Sequence, residues 1–138
     1  MIARILLAAD DSPAALAAAR VCVELAGRCG ASVRTVIVRT GAEPDSIRKQ
    51  TTDPVLRYVR QLADQAGVPF EGGVVSGAVA PCILEQSQAW DADLIVIGRS
   101  DVSGTGQPYI GHHTRHVLEF ADRPVVVVPH GPPRCRDR

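Results

Sequence analysis

Apolar residues in this chain fall into two kinds of run. Ile5 to Ala9, Leu94 to Ile97 and Val125 to Val128 are apolar at every position, the pattern of strands covered on both faces of a parallel sheet. The first block opens at Ile2, with Arg4 its one polar position, and predicts a strand that ends at Asp10. Between the blocks, apolar positions recur at helical spacing. Ser12 and Pro13 predict an N-cap and a first-turn proline, and an alanine-rich helix follows to about Cys29, with Gly30 as its stop. Arg20, Glu24 and Arg28 recur every four residues on one solvated, mutually paired face, away from Leu16, Val23 and Leu25.

Ser32 to Val38 reads as the second strand, followed by a polar loop from Arg39 to Thr51. Asp53-Pro54 opens a second helix, whose stripe of Val55, Leu56, Val59, Leu62, Ala63 and Ala66 ends at Gly67. Phe70 to Val75 reads as a weak third strand, because Gly72 and Gly73 interrupt it. After Gly77, Pro81 opens a helix to about Trp90, and Leu94 to Ile97 is the fourth strand. A glycine-bearing loop from Gly98 to Gly111, a short helix and the last strand complete a βαβ unit. Five strands alternating with four helices predict a single-domain α/β fold, a doubly wound parallel sheet with right-handed crossovers and helices on both faces. Anionic ligands of such folds bind in loops like the one after Gly98.

Composition narrows the classes of function. At 138 residues the chain can bury a core without staples. Fifteen basic residues balance fifteen acidic ones, so no global field draws it to nucleic acid or a lipid surface. Aromatic residues are too scarce for a base-stacking platform. No apolar run approaches membrane-spanning length, and the N-terminal run is too short for a signal peptide. Cys22, Cys29, Cys82 and Cys135 lack close CxxC pairing and are expected to be reduced thiols in a cytoplasmic protein. Cys22 and Cys29, seven apart on one helix face, read as packing residues, as does Trp90 at its helix end. Residues 1–129 are expected to form the domain and 130–138 a flexible tail.

Three segments together resemble the universal stress protein family: Ile5-Leu-Leu-Ala-Ala-Asp10-Asp-Ser12, Asp91-Ala-Asp-Leu-Ile-Val-Ile-Gly98, and Ala121-Asp-Arg-Pro-Val-Val-Val-Val-Pro129. The resemblance implies an adenine nucleotide alpha hydrolase-like sheet ordered 3-2-1-4-5, a role in stress response, a homodimer and, in some members, ATP between the ends of strands one and four. That crevice is also the point where the strand order reverses, which general fold rules select.

Nucleotide-binding members carry glycine, two residues, glycine, nine residues, then glycine before serine or threonine. Gly98 and Gly111 match the outer glycines, but Asp101 replaces the middle glycine and His112 the hydroxyl residue. A carboxylate beside phosphate adds bulk and like charge, so weak ATP binding or none is expected. Part of the machinery remains. Gly104 and Gly106 keep the loop flexible, and the N–H groups after Gly111, including that of His113, open a helix. Thr114 matches a hydroxyl two residues beyond the lost one, and a cationic His112 can itself hold an anion. On the resemblance, Asp10 lies near the nucleoside and Val38 offers a backbone contact to adenine; read without it, Asp10 and Asp11 simply cap the first helix. ATP or another adenine nucleotide is thus an open cofactor expectation.

His112 and His116, at i, i+4 spacing, can reach one metal, but no third ligand is evident; they read as solvent-facing, with His113 partly packed and no metal site. No Gly-x-Ser-x-Gly elbow, HExxH or complete Walker loop occurs, so no enzyme activity is expected beyond slow ATP hydrolysis. Two readings follow. One is a cytoplasmic stress-response homodimer acting through protein partners; the other is an adenine-nucleotide sensor with a remodelled phosphate loop. Val125 to Val128, at a sheet edge in the implied order, form the expected dimer interface.

Overall fold

The structure, a computed structural model, describes residues 1–10, 12–39, 53–99 and 112–129. The expected polar loop after Arg39, the tail at 130–138, and Asp11, Asp101, Gly104, Gly106 and Gly111 lie outside the described residues. Nine elements alternate in order: β1 (Arg4–Ala9), α1 (Pro13–Cys29), β2 (Ser32–Arg39), α2 (Pro54–Ala66), β3 (Phe70–Ser76), α3 (Val79–Trp90), β4 (Leu94–Gly98), α4 (His112–Phe120) and β5 (Val125–Val128). The strands form one parallel sheet ordered β3-β2-β1-β4-β5, as expected, with Ile5 opposite both Val33 and Leu94, and Ile95 opposite Val125.

Alternation along each strand divides the core in two. Ile5, Leu7, Val33, Ile37 and Val96 pack beneath α1 and α2; Leu6, Ala8, Val36, Ile95 and Ile97 pack beneath α3 and α4. The alanine face of α1, with Ala14, Ala15, Ala18 and Ala19 buried, lets its backbone lie close to the sheet. Ser12 accepts from the Ala15 N–H at 3.1 Å and Gly30 closes the helix in the left-handed region at φ 67°, so both expected ends hold. Asp53 caps α2 by accepting from the Val55 N–H at 2.9 Å while pairing with Arg39.

Several expectations need correction. β1 begins at Arg4 rather than Ile2, which is exposed. α3 begins at Val79, with Pro81 in its first turn, where a missing N–H leaves no intrahelical bond unmade. β3 pairs with β2 along all seven residues. Packing accounts for one of its two glycines: a Cβ on Gly72 would lie 2.7 Å from Leu56 Cδ2 and 3.0 Å from Phe70 Cζ. Cys22 is fully buried, and burial pushes its thiol up to about 12, but Cys29 is exposed. Arg28 pairs with Glu24 at 3.3 Å, whereas Arg20 donates across to the Tyr58 hydroxyl at 3.0 Å. Trp90 is half-buried and carries the Arg34 guanidinium 4.8 Å from its ring centroid.

A polar network fastens the amino ends of the strands. Asp93 Oδ2 accepts from the Ala3 and Arg4 N–H groups at 2.8 and 2.9 Å; these two bonds, with the nearby N-terminal and Arg4 charges, hold its carboxyl below the usual range. Arg123 donates to the Ser87 and Ala92 carbonyls at 3.1 and 2.6 Å, joining the end of α3 to the approach to β5. Its bond to Asp122, at 2.9 Å, lowers that carboxyl in turn.

Candidate functional site

Carboxyl ends of parallel strands expose backbone groups where the chain leaves the sheet, and neighbouring strands whose connections run to opposite sides leave a crevice between them. Here that crevice lies between β1 and β4. A cleft of about 310 Å³ opens there, and it gathers Asp10, Val38, Gly98, His112, His113 and Thr114 into one wall. These are all the described residues among the expected nucleotide-site positions; Val125 to Val128, the expected dimer interface, lie apart from the cleft lining.

Each is placed by its element. Asp10 directly follows β1, and its Oδ1 accepts from the Ser12 N–H at 2.8 Å, a turn that orients Ser12. The helix is therefore capped by Ser12 and not by Asp10, which is exposed and lines the cleft. Val38 is the penultimate residue of β2, which runs one residue past the expected end to Arg39, and Val36, Val79, Ile83 and Ile97 give the cleft an apolar floor and side. Thr114, in the first turn of α4, is 3% exposed and its hydroxyl donates to the Gly98 carbonyl at 3.1 Å. That bond ties α4 to the end of β4.

Gly98 has a packing role that spacing alone did not reveal. A Cβ there would sit 2.6 Å from the Ala14 carbonyl oxygen and 2.7 Å from its carbon, atoms of the α1 backbone that no side-chain rotation can move. The close approach of α1, foreshadowed by its alanine face, demands the glycine. Ser12, Ala14 and Ala15 line the cleft and were absent from the expected set; the Ser12-Pro13 cap was the sequence feature that could have located them.

His112 and His113 are both exposed, and His116 is half-buried with its ring 5.0 Å from Phe120, so the expected packing of His113 belongs to His116 instead. The rings of His112 and His116 lie 6.4 Å apart. Among the described residues no three His, Cys, Asp or Glu side chains are grouped to hold a metal. Nor is any helix of the described residues long and apolar enough to cross a membrane.

A doubly wound parallel domain with an apolar cleft at its strand-order reversal belongs to the nucleotide-binding class of α/β folds. The chain is a member of the universal stress protein family, whose family model matches residues 1–129. A universal stress protein of Synechocystis is 29% identical over 75 residues, which cover 54% of this chain and 49% of that relative, about half its length. Among solved structures, a universal stress protein from Archaeoglobus fulgidus superposes with a TM-score of 0.73 at 26% identity, covering 93% of this chain and 99% of its own. A structure of the universal stress protein from that organism in complex with dAMP gives a TM-score of 0.73 at 23% identity, over 93% of this chain and 99% of its own.

Proposed function

We propose that this chain is a stress-response protein that works as a cytoplasmic homodimer through protein partners and binds ATP weakly or not at all. The observation that carries the reading is the cleft's chemistry. Its described lining contains the carboxylate of Asp10 and no Lys or Arg, and in the loop from Gly98 to Gly111 Asp101 offsets the one cation, Arg99. A triphosphate needs donors and positive charge around it, and two acidic residues work against it. Isothermal titration should give an ATP dissociation constant well above ~1 μM, about −8 kcal/mol. Asp101→Gly with His112→Ser should tighten it; no gain would mean that the loop backbone, not those side chains, limits binding.

Dimerisation is proposed through β5. It is an edge strand paired to β4 on its inner side, with Val125, Val126 and Val127 only half-buried. Pairing with the same strand of a second copy about a two-fold axis satisfies the outer backbone groups and closes the assembly. Val126→Lys or Val127→Lys should yield monomer or aggregate in sedimentation; a wild-type chain that stays monomeric at tens of micromolar would sink the idea.

A second reading, a sensor of adenine nucleotides, is favoured by retention of the cleft itself and by the dAMP complex of the Archaeoglobus relative. Under it Asp10, Val38, Gly98 and the start of α4 contact the ligand.

A further inference from the structure

We infer that the outer face of α2 docks an acidic segment of a partner protein. The inference rests on reading the chain as one that works through protein partners, and it specifies which surface meets them and what chemistry they bring.

An open hollow of about 530 Å³ runs along this helix, lined by Pro54, Arg57, Tyr58, Arg60, Gln61 and Asp64. Most of these recur at helical spacing on the side opposite the buried Val55, Leu56, Val59 and Ala63. From Pro54 to Asp64 the helix rises about 15 Å, room for roughly five residues of extended chain. The charge along it is mainly positive and held in place. Arg60 lies over the Phe70 ring, 5.2 Å from its centroid. Arg20 Nε donates to the Tyr58 hydroxyl at 3.0 Å, which brings a further guanidinium to the rim and leaves the phenol proton to donate outward. Arg57 is exposed and has no ion-pair partner among the described residues. Side chains already fixed lose little entropy on binding, and arginine and tyrosine are enriched among the residues that carry interface energy. Asp64, at the far end, opposes a phosphodiester chain, which is negative at every step, but can meet an N–H donor of a peptide. The face also stays open in the proposed dimer: α2 packs on α1 and β3, and β3 is the sheet edge opposite β5.

A fluorophore-labelled peptide alternating glutamate with leucine, titrated with the full chain and followed by fluorescence anisotropy, provides the test. It is expected to bind saturably, to lose affinity as salt rises, and to bind at least tenfold more weakly to Arg57→Glu with Arg60→Glu. Should the double variant fail to fold, Arg57→Glu alone, at an exposed side chain with no ion pair to lose, should weaken binding in the same direction. Arg115→Glu, an equal change of net charge at an exposed position of α4, should leave it unchanged. The inference is overturned by absence of saturable binding at ~1 mM protein, by equal affinity for wild type and the α2 variants, by equal affinity for the peptide with glutamine in place of glutamate, or by tighter binding of a duplex oligonucleotide. Any of these leaves the partner reading standing; that reading fails separately if cross-linking in cell extract joins the chain to nothing but its own copies.

Discussion

Replacing Gly98 with alanine separates two explanations of one residue. If Gly98 served only to let a ligand's phosphates approach the backbone, the unliganded protein would tolerate the methyl group. Alanine at an unstrained glycine position restricts the unfolded chain and stabilises by about 0.4–1 kcal/mol. The geometry opposes this. The new Cβ would lie 2.6 Å from the Ala14 oxygen, 2.7 Å from the Ala14 carbon and 3.0 Å from the Ala15 nitrogen, all backbone atoms of the first turn of α1. Relief requires the helix to move off the sheet, and overpacking of this kind costs about 1–3 kcal/mol. The clash outweighs the entropy gain, leaving a net loss of about 1–2 kcal/mol. At roughly 4 °C per kcal/mol for a domain of this size, the melting temperature should fall by about 4–8 °C. Thermal unfolding followed by circular dichroism on the ligand-free protein measures it directly. A melting temperature equal to or above wild type would refute the packing argument.

Other substitutions test the fold elsewhere. Gly27→Ala, in α1 with only Val68 Cγ2 at 3.9 Å from the new Cβ, should stabilise by about 0.5–1 kcal/mol in chemical denaturation. Thr35 is fully buried on β2 and its hydroxyl has no hydrogen-bond partner among the described residues, so Thr35→Val should raise stability by about 1 kcal/mol; a loss would reveal a partner for that hydroxyl. Asp93 has a lowered pKa in the fold, so its contribution is complete above the ordinary carboxylate value of about 4 and is lost as pH falls through the folded value. The urea midpoint of wild type should therefore exceed that of Asp93→Asn from pH 7 to 5, and the two should converge below about pH 4; a constant difference down to pH 2 would contradict this.

The strands were legible wherever burial on both faces makes every position apolar, as in β1, β4 and β5, because that pattern needs no knowledge of neighbours. Helix ends were legible where local chemistry sets them, at Ser12 with Pro13, Asp53 with Pro54, Gly30 and Gly67. What escaped depends on contacts distant in sequence. Gly72 of β3 reads as an interruption because Leu56, which fills the space above it, lies on another element. His113 and His116 exchanged burial because a nine-residue helix with few apolar positions leaves its rotation to tertiary packing. Six of the fifteen residues that line the cleft were reachable from the family's motif, but the committed Thr114 hydroxyl and the backbone approach at Gly98 were not, since both depend on where α4 and α1 settle against β4.

The network at the amino ends of the strands has a consequence for how this chain can change. Asp93, Arg123 and their partners lie at the end of the sheet opposite the cleft, so many of the polar contacts that hold the strand entries are far from any ligand. Loss of a motif residue on the cleft side, Gly98 excepted, leaves those contacts intact. A histidine at position 112 could thus be accepted with little penalty in folding, and selection at the two ends of the sheet can proceed almost independently.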